Sequence, residues 1–163
     1  MSSAYDATAW SDLFVAAAGA SAALAGLVFV AVSINIEEIL TGEGLPTRAL
    51  ETLVRLMGAV VVSVLGLIPQ SSTALGIELA VEGALSAVWT VELARRSLPE
   101  RTQRSWVIGR IAISLCGTLP FLLAGLSLLG ERGGGLYWAV GGLLFAIGGG
   151  VTTAWVLLVE IRR

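Results

Sequence analysis

The stretch LFVAAAGASAALAGLVFVAVSINI, residues 13–36, decides the fold class of this chain. It runs for 24 residues without an Asp, Glu, Lys or Arg. A helix needs about 20 predominantly apolar residues to cross the hydrocarbon core of a bilayer. This stretch therefore predicts a membrane-spanning helix and not a buried helix of a water-soluble domain.

The rest of the chain has the same character. Its 163 residues are 56% hydrophobic and 13% charged, with a mean hydropathy of +0.87. Such a chain carries more apolar surface than a soluble domain of this size can bury. We therefore predict a single all-α integral membrane domain over residues 1–163, located in the inner (plasma) membrane of the cell.

The composition also argues against several functional classes. A net charge of −2 without a basic stripe gives no footprint for nucleic acid. The chain has no histidine and one cysteine, Cys116, so the usual general base and the usual zinc ligands are missing. We expect no enzymatic activity, no metal site and no cofactor.

Five stretches fit membrane-spanning helices, and one of them is less apolar than the others. The stretches are residues 13–36, 48–69, 73–94, 105–129 and 135–159. The third contains Glu78, Glu82 and Glu92, so an alternative with four spans omits it.

The distribution of arginines favours five spans. With five spans, nine of the ten arginines fall on one side of the membrane and Arg132 alone on the other, whereas four spans divide them seven to three. Cytoplasmic loops carry the excess of positive charge in membrane proteins. We therefore predict a bundle of five helices with the N-terminus outside and the C-terminus in the cytoplasm.

Glycines in the first and last spans are candidates for helix packing. Helices in lipid associate by close van der Waals contact, which small residues permit. The candidates are Gly19, Gly26, Gly134, Gly141 and Gly148. They form either seams within one chain or an interface between subunits. We predict that the protein contacts membrane lipids and associates with further copies of itself. A different membrane protein is the alternative partner.

A polar row runs along the third span. At 100° per residue, Glu78, Glu82 and Ser86 share one helical face. Glu82 lies near the middle of the span, where a charge costs about 2.5 to 3.5 kcal/mol on insertion scales. We predict an ion or proton pathway at this acid. The structural alternative is a neutral acid that joins two helices by a hydrogen bond.

Pro120 is predicted to break the fourth span at the depth of Glu82. Proline cannot donate to the carbonyl of Cys116, and a freed carbonyl inside a membrane must be satisfied by protein or water. We expect a protonated Glu82 to donate a hydrogen bond to this carbonyl, or an ionised Glu82 to hold a cation there together with Thr118 and Ser86.

Polar and charged residues collect at the predicted cytoplasmic rim. They form either a belt of ion pairs or a charged vestibule around a pore. The residues are Asn35, Glu37, Glu38, Arg55, Glu92 and Arg110.

One resemblance covers most of the chain. The segment AGASAALAGLVFVAVSINIEEIL (18–40), followed by VVVSVLGLIPQ (60–70) and LGIEL (75–79), resembles a group of small multi-pass membrane proteins of high-GC bacteria. This resemblance implies a multi-pass membrane fold and no particular activity.

A second resemblance concerns shorter segments. SAALAGLVFVAVS (21–33) is similar to the pore-lining first helix of the Orai calcium channels, and GTLPFLL (117–123) is similar to their third helix. It implies a homo-oligomer around a central helix. No site residue carries over, because the selectivity glutamate of that family falls on Ile34.

These patterns together predict a homo-oligomeric membrane protein that conducts a cation or a proton through a midplane acidic site. The alternative is a non-conducting scaffold or regulatory subunit.

Overall fold

The computed structural model describes residues 3–42, 44–96 and 115–159, and the regular structure in these ranges is helical. The prediction of an all-helical chain is therefore confirmed for the described residues. The elements are 3-10 turns at Ser3–Tyr5 and Ala7–Trp10 and the helices α1 (Ser11–Ile34), α2 (Ile36–Thr41), α3 (Leu45–Leu67), α4 (Ser72–Arg96), α5 (Leu119–Gly130) and α6 (Tyr137–Leu158).

Four helical segments are long and apolar enough to cross a membrane. They are Ala7–Ile34, Leu45–Leu67, Ser72–Leu93 and Tyr137–Leu158. The acidic stretch that the four-span alternative omits is itself one of these four. α5 has 12 residues, or about 18 Å of helix, and the part of the predicted span before residue 115 lies outside the described residues. The fifth crossing therefore stays a prediction.

The helices pack as a ring. α1, α3, α4, α5 and α6 follow one another around it, and contacts between α6 and α1 close it. α3 and α6 also pack against each other across the ring. α3 is thus bordered by three helices, α1, α4 and α6.

The buried core has two clusters at opposite ends of the bundle. One end is formed by Ser3–Trp10, the α3–α4 loop and the α5–α6 loop, and we call it the N-terminal end. Its core is centred on Phe14, Phe121 and Leu143. The other end, which we call the Asn35 end, has a smaller core that includes Val28, Leu56 and Leu157.

Close contact between α4 and α5 depends on glycines that the sequence analysis did not single out. A side chain at Gly83 would collide with the backbone of Leu122, and one at Gly125 would collide with the backbone of Ala80. Small residues let two helix backbones approach in this way. The spacing of Gly76, Ala80 and Gly83 was the available signal.

The predicted packing glycines face elsewhere. Gly19, Gly26, Gly141 and Gly148 are exposed, and an added Cβ at each would meet no described atom within 4 Å. Gly134 lies in the α5–α6 loop with a φ of 107°. The interpretation as seams within one chain is therefore wrong for the four helical glycines, because the helical phase turns them away from the described bundle, and Gly134 lies outside the helices. The interpretation as a subunit interface is not tested.

Two adjacent glycines on α6 provide a matched test of this packing. A Cβ at Gly142 would lie 2.6 Å from Cε1 of Phe121, whereas a Cβ at Gly141 meets open space. We expect Gly142→Leu to lower the free energy of unfolding by about 1 to 3 kcal/mol or more, because overpacking displaces Phe121. Gly141→Leu should change the free energy of unfolding of the dissociated chain by less than about 0.5 kcal/mol. Unfolding in mixed detergent micelles measures both, and equal losses would contradict the described phase of α6.

Candidate functional site

Four polar side chains recur every fourth residue along the face of α4 that borders α3. They are Glu78, Glu82, Ser86 and Thr90. The first three are partly buried and Thr90 is fully buried. The row rises by about 18 Å from its first to its last member, which is more than half of the roughly 30 Å hydrocarbon core. The structure thus places these residues on one face, as the sequence predicts.

The carboxyl of Glu82 faces α3 but makes its one described hydrogen bond within its own helix. Its Oε1 accepts a 2.6 Å hydrogen bond from Ser86 Oγ, whereas its Oε2 is buried and has no hydrogen-bond partner among the described residues. The carboxyl faces Gly58 of α3, where an added Cβ would lie 2.5 Å from Oε1. Because its hydrogen bond goes to the next turn of the same helix, Glu82 does not join α4 to α3.

Glu78 connects the row to the N-terminal end. Its Oε2 accepts a 2.7 Å hydrogen bond from Nε2 of Gln70 in the α3–α4 loop. The same Nε2 donates to the carbonyl of Leu65 at 3.0 Å. The row therefore begins at a loop and continues into the bundle.

Thr90 adds a second oxygen without a partner. Its Oγ1 is buried and accepts or donates no hydrogen bond within the described chain. Two residues further on, Glu92 is partly buried and does have an interaction partner. Buried polar atoms in proteins almost always have a partner, ordered water included. Of the four buried side-chain N or O atoms without a partner among the described residues, two lie in this row, and the other two are Ser21 Oγ and Asn35 Oδ1.

The helix break predicted at Pro120 is present, since residues 117–118 form a turn directly before α5. The prediction that Glu82 meets this break is wrong. A side chain at Gly83 would collide with Leu122 of α5, so it is Gly83 that faces α5. Glu82 lies 100° further around the helix and faces α3 instead.

Thr118 belongs to the break and not to the polar row. It is buried, and its Oγ1 lies 3.5 Å from the carbonyl oxygen of Leu115. The expected cation site of Glu82, Thr118 and Ser86 is therefore not assembled. Arg110, which was expected at the rim near this helix, lies outside the described residues.

Arg55 is the charged residue beside the break. Its Cδ would lie 3.1 Å from a Cβ at Gly117, and its Nη1 would lie 3.8 Å from one at Gly149. Its guanidinium also contacts Oγ1 of Thr52 at 3.5 Å and interacts electrostatically with Glu51 on the same helix. Arg55 is thus inside the bundle, not at the rim, because α3 begins ten residues before it.

The other predicted rim residues differ in burial, and their arrangement as a belt of ion pairs stays a prediction. Asn35 is buried where α1 ends, and its Nδ2 donates a 2.7 Å hydrogen bond to the carbonyl of Leu157. It therefore links α1 to α6. Glu37 and Glu38 follow on α2 and are exposed.

Within the described residues, no group of three or more His, Cys, Asp or Glu side chains could hold a metal ion, and Cys116 is exposed. No protein-family model, no curated protein and no solved structure matches the chain. The two resemblances drawn from the sequence therefore stay expectations.

Proposed function

We propose that this protein conducts protons across a membrane along the polar row between α3 and α4. Glu82 is the group that takes up and releases the proton. The observation that supports this is a carboxyl held at one oxygen by Ser86, buried without a partner at the other, and facing Gly58. An acid that served to join helices would bond across the seam, whereas α3 offers Glu82 only a glycine.

The chemistry of the row favours a proton over a metal cation. A metal such as Ca²⁺ takes six to eight oxygen ligands, and the described surroundings of Glu82 supply one carboxyl and one hydroxyl. A proton needs only an acid and a relay of polar groups, the arrangement that intramembrane acids form in pumps and transporters. Successive members of the row are about 6 Å apart along the helix, a spacing that water can bridge.

The charge of Arg55 does not neutralise Glu82. Gly58, which faces Glu82, lies one helical turn from Arg55 on α3, but the guanidinium interacts with Glu51. No ion pair of Glu82 is present among the described residues. The acid can therefore gain and lose its charge without breaking a salt bridge.

Purified protein in liposomes tests the proposal. A potassium diffusion potential set by valinomycin should drive protons into vesicles that contain the protein faster than into protein-free vesicles, as reported by a trapped pH-sensitive dye. Current carried by sodium or potassium with no proton uptake would mean that the protein conducts a metal cation and not a proton. Ion movement no faster than in protein-free vesicles would contradict conduction altogether.

The proposed orientation places the N-terminal end outside the cell and the Asn35 end in the cytoplasm of a five-span chain. Nine of the ten arginines then lie on the cytoplasmic side. A reporter that is active only in the cytoplasm should be inactive when fused to the N-terminus and active when fused to the C-terminus. Activity at both ends would support an even number of crossings instead.

Self-association through the outward-facing glycines is the second part of the proposal. Exposed glycines on α1 and α6 let another helix approach closely. Native mass spectrometry in mild detergent should show an oligomer, and Gly148→Leu should shift it towards monomer while leaving the chain folded. An oligomer made with a different membrane protein would favour the scaffold alternative, and monomeric wild-type protein would contradict self-association.

A further inference from the structure

A cavity of about 580 Å³ lies at the N-terminal end of the bundle. Small-molecule sites in proteins have volumes of roughly 300 to 1,000 Å³. The cavity separates the N-terminal segment from the α3–α4 loop. The residues that characterise its two walls are Tyr5, Asp6 and Thr8 on one side and Leu67, Ile68 and Gln70 on the other.

Hydrogen bonds hold the wall formed by the N-terminal segment. The carbonyl of Ala4 accepts a 2.8 Å bond from the amide of Leu136, and Tyr5 Oη accepts a 3.4 Å bond from the amide of Gly134. A side chain at Gly135 would collide with the Ala4 carbonyl, so the glycine permits this contact. These contacts tie the segment to the α5–α6 loop and fix its position beside the cavity.

The polar groups of the cavity suit a positively charged ligand. Asp6 is exposed, and hydrogen bonds from the hydroxyl and amide of Thr8 hold the pKa of its carboxyl below the ordinary range. The carboxyl is therefore ionised at neutral pH. Nε2 of Gln70 is engaged by Leu65 and Glu78, so the carbonyl oxygen is the part of that amide left to accept a hydrogen bond. None of the described residues that line the cavity is an Arg or a Lys.

The charged residues around the cavity are mainly negative, which also suits a positively charged ligand. The described acids at this end of the bundle are Asp6, Asp12, Glu78 and Glu131, against Arg132 and the positive amino terminus, whose charge also acts on Asp6. Such an excess attracts cations to the mouth of the cavity. Its apolar lining by Leu67, Ile68 and Leu75 favours a ligand with a hydrocarbon body over a hydrated metal ion.

We infer that this cavity binds a small organic ammonium ion. The ammonium group lies against the Asp6 carboxylate and the carbonyl oxygen of Gln70, and the hydrocarbon body lies against Leu67 and Ile68. The ring of Tyr5 adds a second attraction, because aromatic rings attract cations. The inference does not depend on conduction along the polar row, since binding is measured without an ion gradient.

Isothermal titration calorimetry with benzylammonium tests the inference. The protein is placed in nanodiscs of zwitterionic phosphatidylcholine, and empty nanodiscs give the contribution of partition into lipid. We expect saturable binding to the wild-type protein that benzyl alcohol, the neutral analogue, does not compete away. Asp6→Asn should weaken it by about tenfold or more, since the charged partner of the ammonium is lost. Asparagine also caps helix termini well, so the substitution preserves the turn at Thr8.

Matched variants separate this site from general electrostatics and from conduction. Asp12→Asn removes an exposed acid at the same end that does not line the cavity, and should change the affinity by less than about twofold. Glu82→Gln should leave benzylammonium binding intact whether or not it affects ion flux. Equal affinities of wild type and Asp6→Asn, or heat no larger than that of empty nanodiscs, would overturn the inference.

Discussion

Glu82→Gln is expected to reduce proton flux in proteoliposomes to the level of protein-free vesicles, a loss of at least about tenfold. Glutamine keeps the shape of the side chain and still accepts the hydrogen bond from Ser86 Oγ, but it cannot release a proton. The fold should therefore survive while the proposed transfer step does not. Dye-reported proton uptake under an imposed membrane potential measures the flux, and unfolding in detergent measures the stability.

Two further variants make this result specific. Glu82→Asp retains an ionisable group and should keep measurable flux, whereas Glu37→Gln removes an exposed acid outside the row and should leave flux unchanged. Wild-type flux in Glu82→Gln would remove Glu82 from the pathway. If the wild type conducts no protons either, and Glu82→Gln folds and binds benzylammonium like the wild type, then Glu82 has only a structural role.

Gly58→Ala is expected to lower proton flux by roughly tenfold although it adds a single methyl group. The new Cβ would lie 2.5 Å from Oε1 of Glu82 and 3.2 Å from Oγ of Ser86. Real Cβ atoms essentially never show a contact of 2.5 Å, so the flexible carboxyl must move, and we expect its hydrogen bond to Ser86 to change. Stability should change little, because alanine is favoured over glycine in a helix by about 1 kcal/mol and offsets part of the lost contact.

Gly130→Ala on α5 is the matched control. It is also a helical glycine, but an added Cβ there meets open space among the described residues. Its proton flux should equal that of the wild type. If Gly58→Ala also conducts like the wild type, the space between Gly58 and Glu82 has no role in transfer.

Helix positions were the part of the fold most accessible from sequence. α1, α3, α4 and α6 begin and end within three residues of the predicted limits. Long apolar stretches with charged or polar ends define such helices without knowledge of their neighbours. The acid Glu82 was found for the same reason, because its depth follows from its position within one helix.

Partners across the bundle were not accessible in the same way. Glu82 was expected beside Pro120, yet the rotation of α4 turns it towards α3. A rotation of 100° moves a side chain from one neighbour to another, and the sequence of one helix does not determine which neighbour is on which side. Gly58 was not predicted as a site residue for this reason, since nothing in its own helix shows that it lies opposite an acid.

The depth of Arg55 could have been predicted better. α3 begins at Leu45, directly after Gly44 in a left-handed conformation with φ of 75°, and Pro46 lies in its first turn. Proline in the first turn is a recognised signal for the start of a helix. A helix that starts there places Arg55 about 15 Å from its beginning, inside the bundle.

The hydrogen bond between Ala4 and Leu136 has a consequence for biosynthesis. Its two residues lie 132 positions apart in the chain, so the ribosome must add 132 residues after Ala4 before the bond can form. At a translation rate of about 5 to 20 residues per second, the delay is roughly 7 to 26 s. The hydrogen bond between Ala4 and Leu136 therefore forms only after α1, α3, α4 and α5, which precede Leu136 in the chain, have been synthesised.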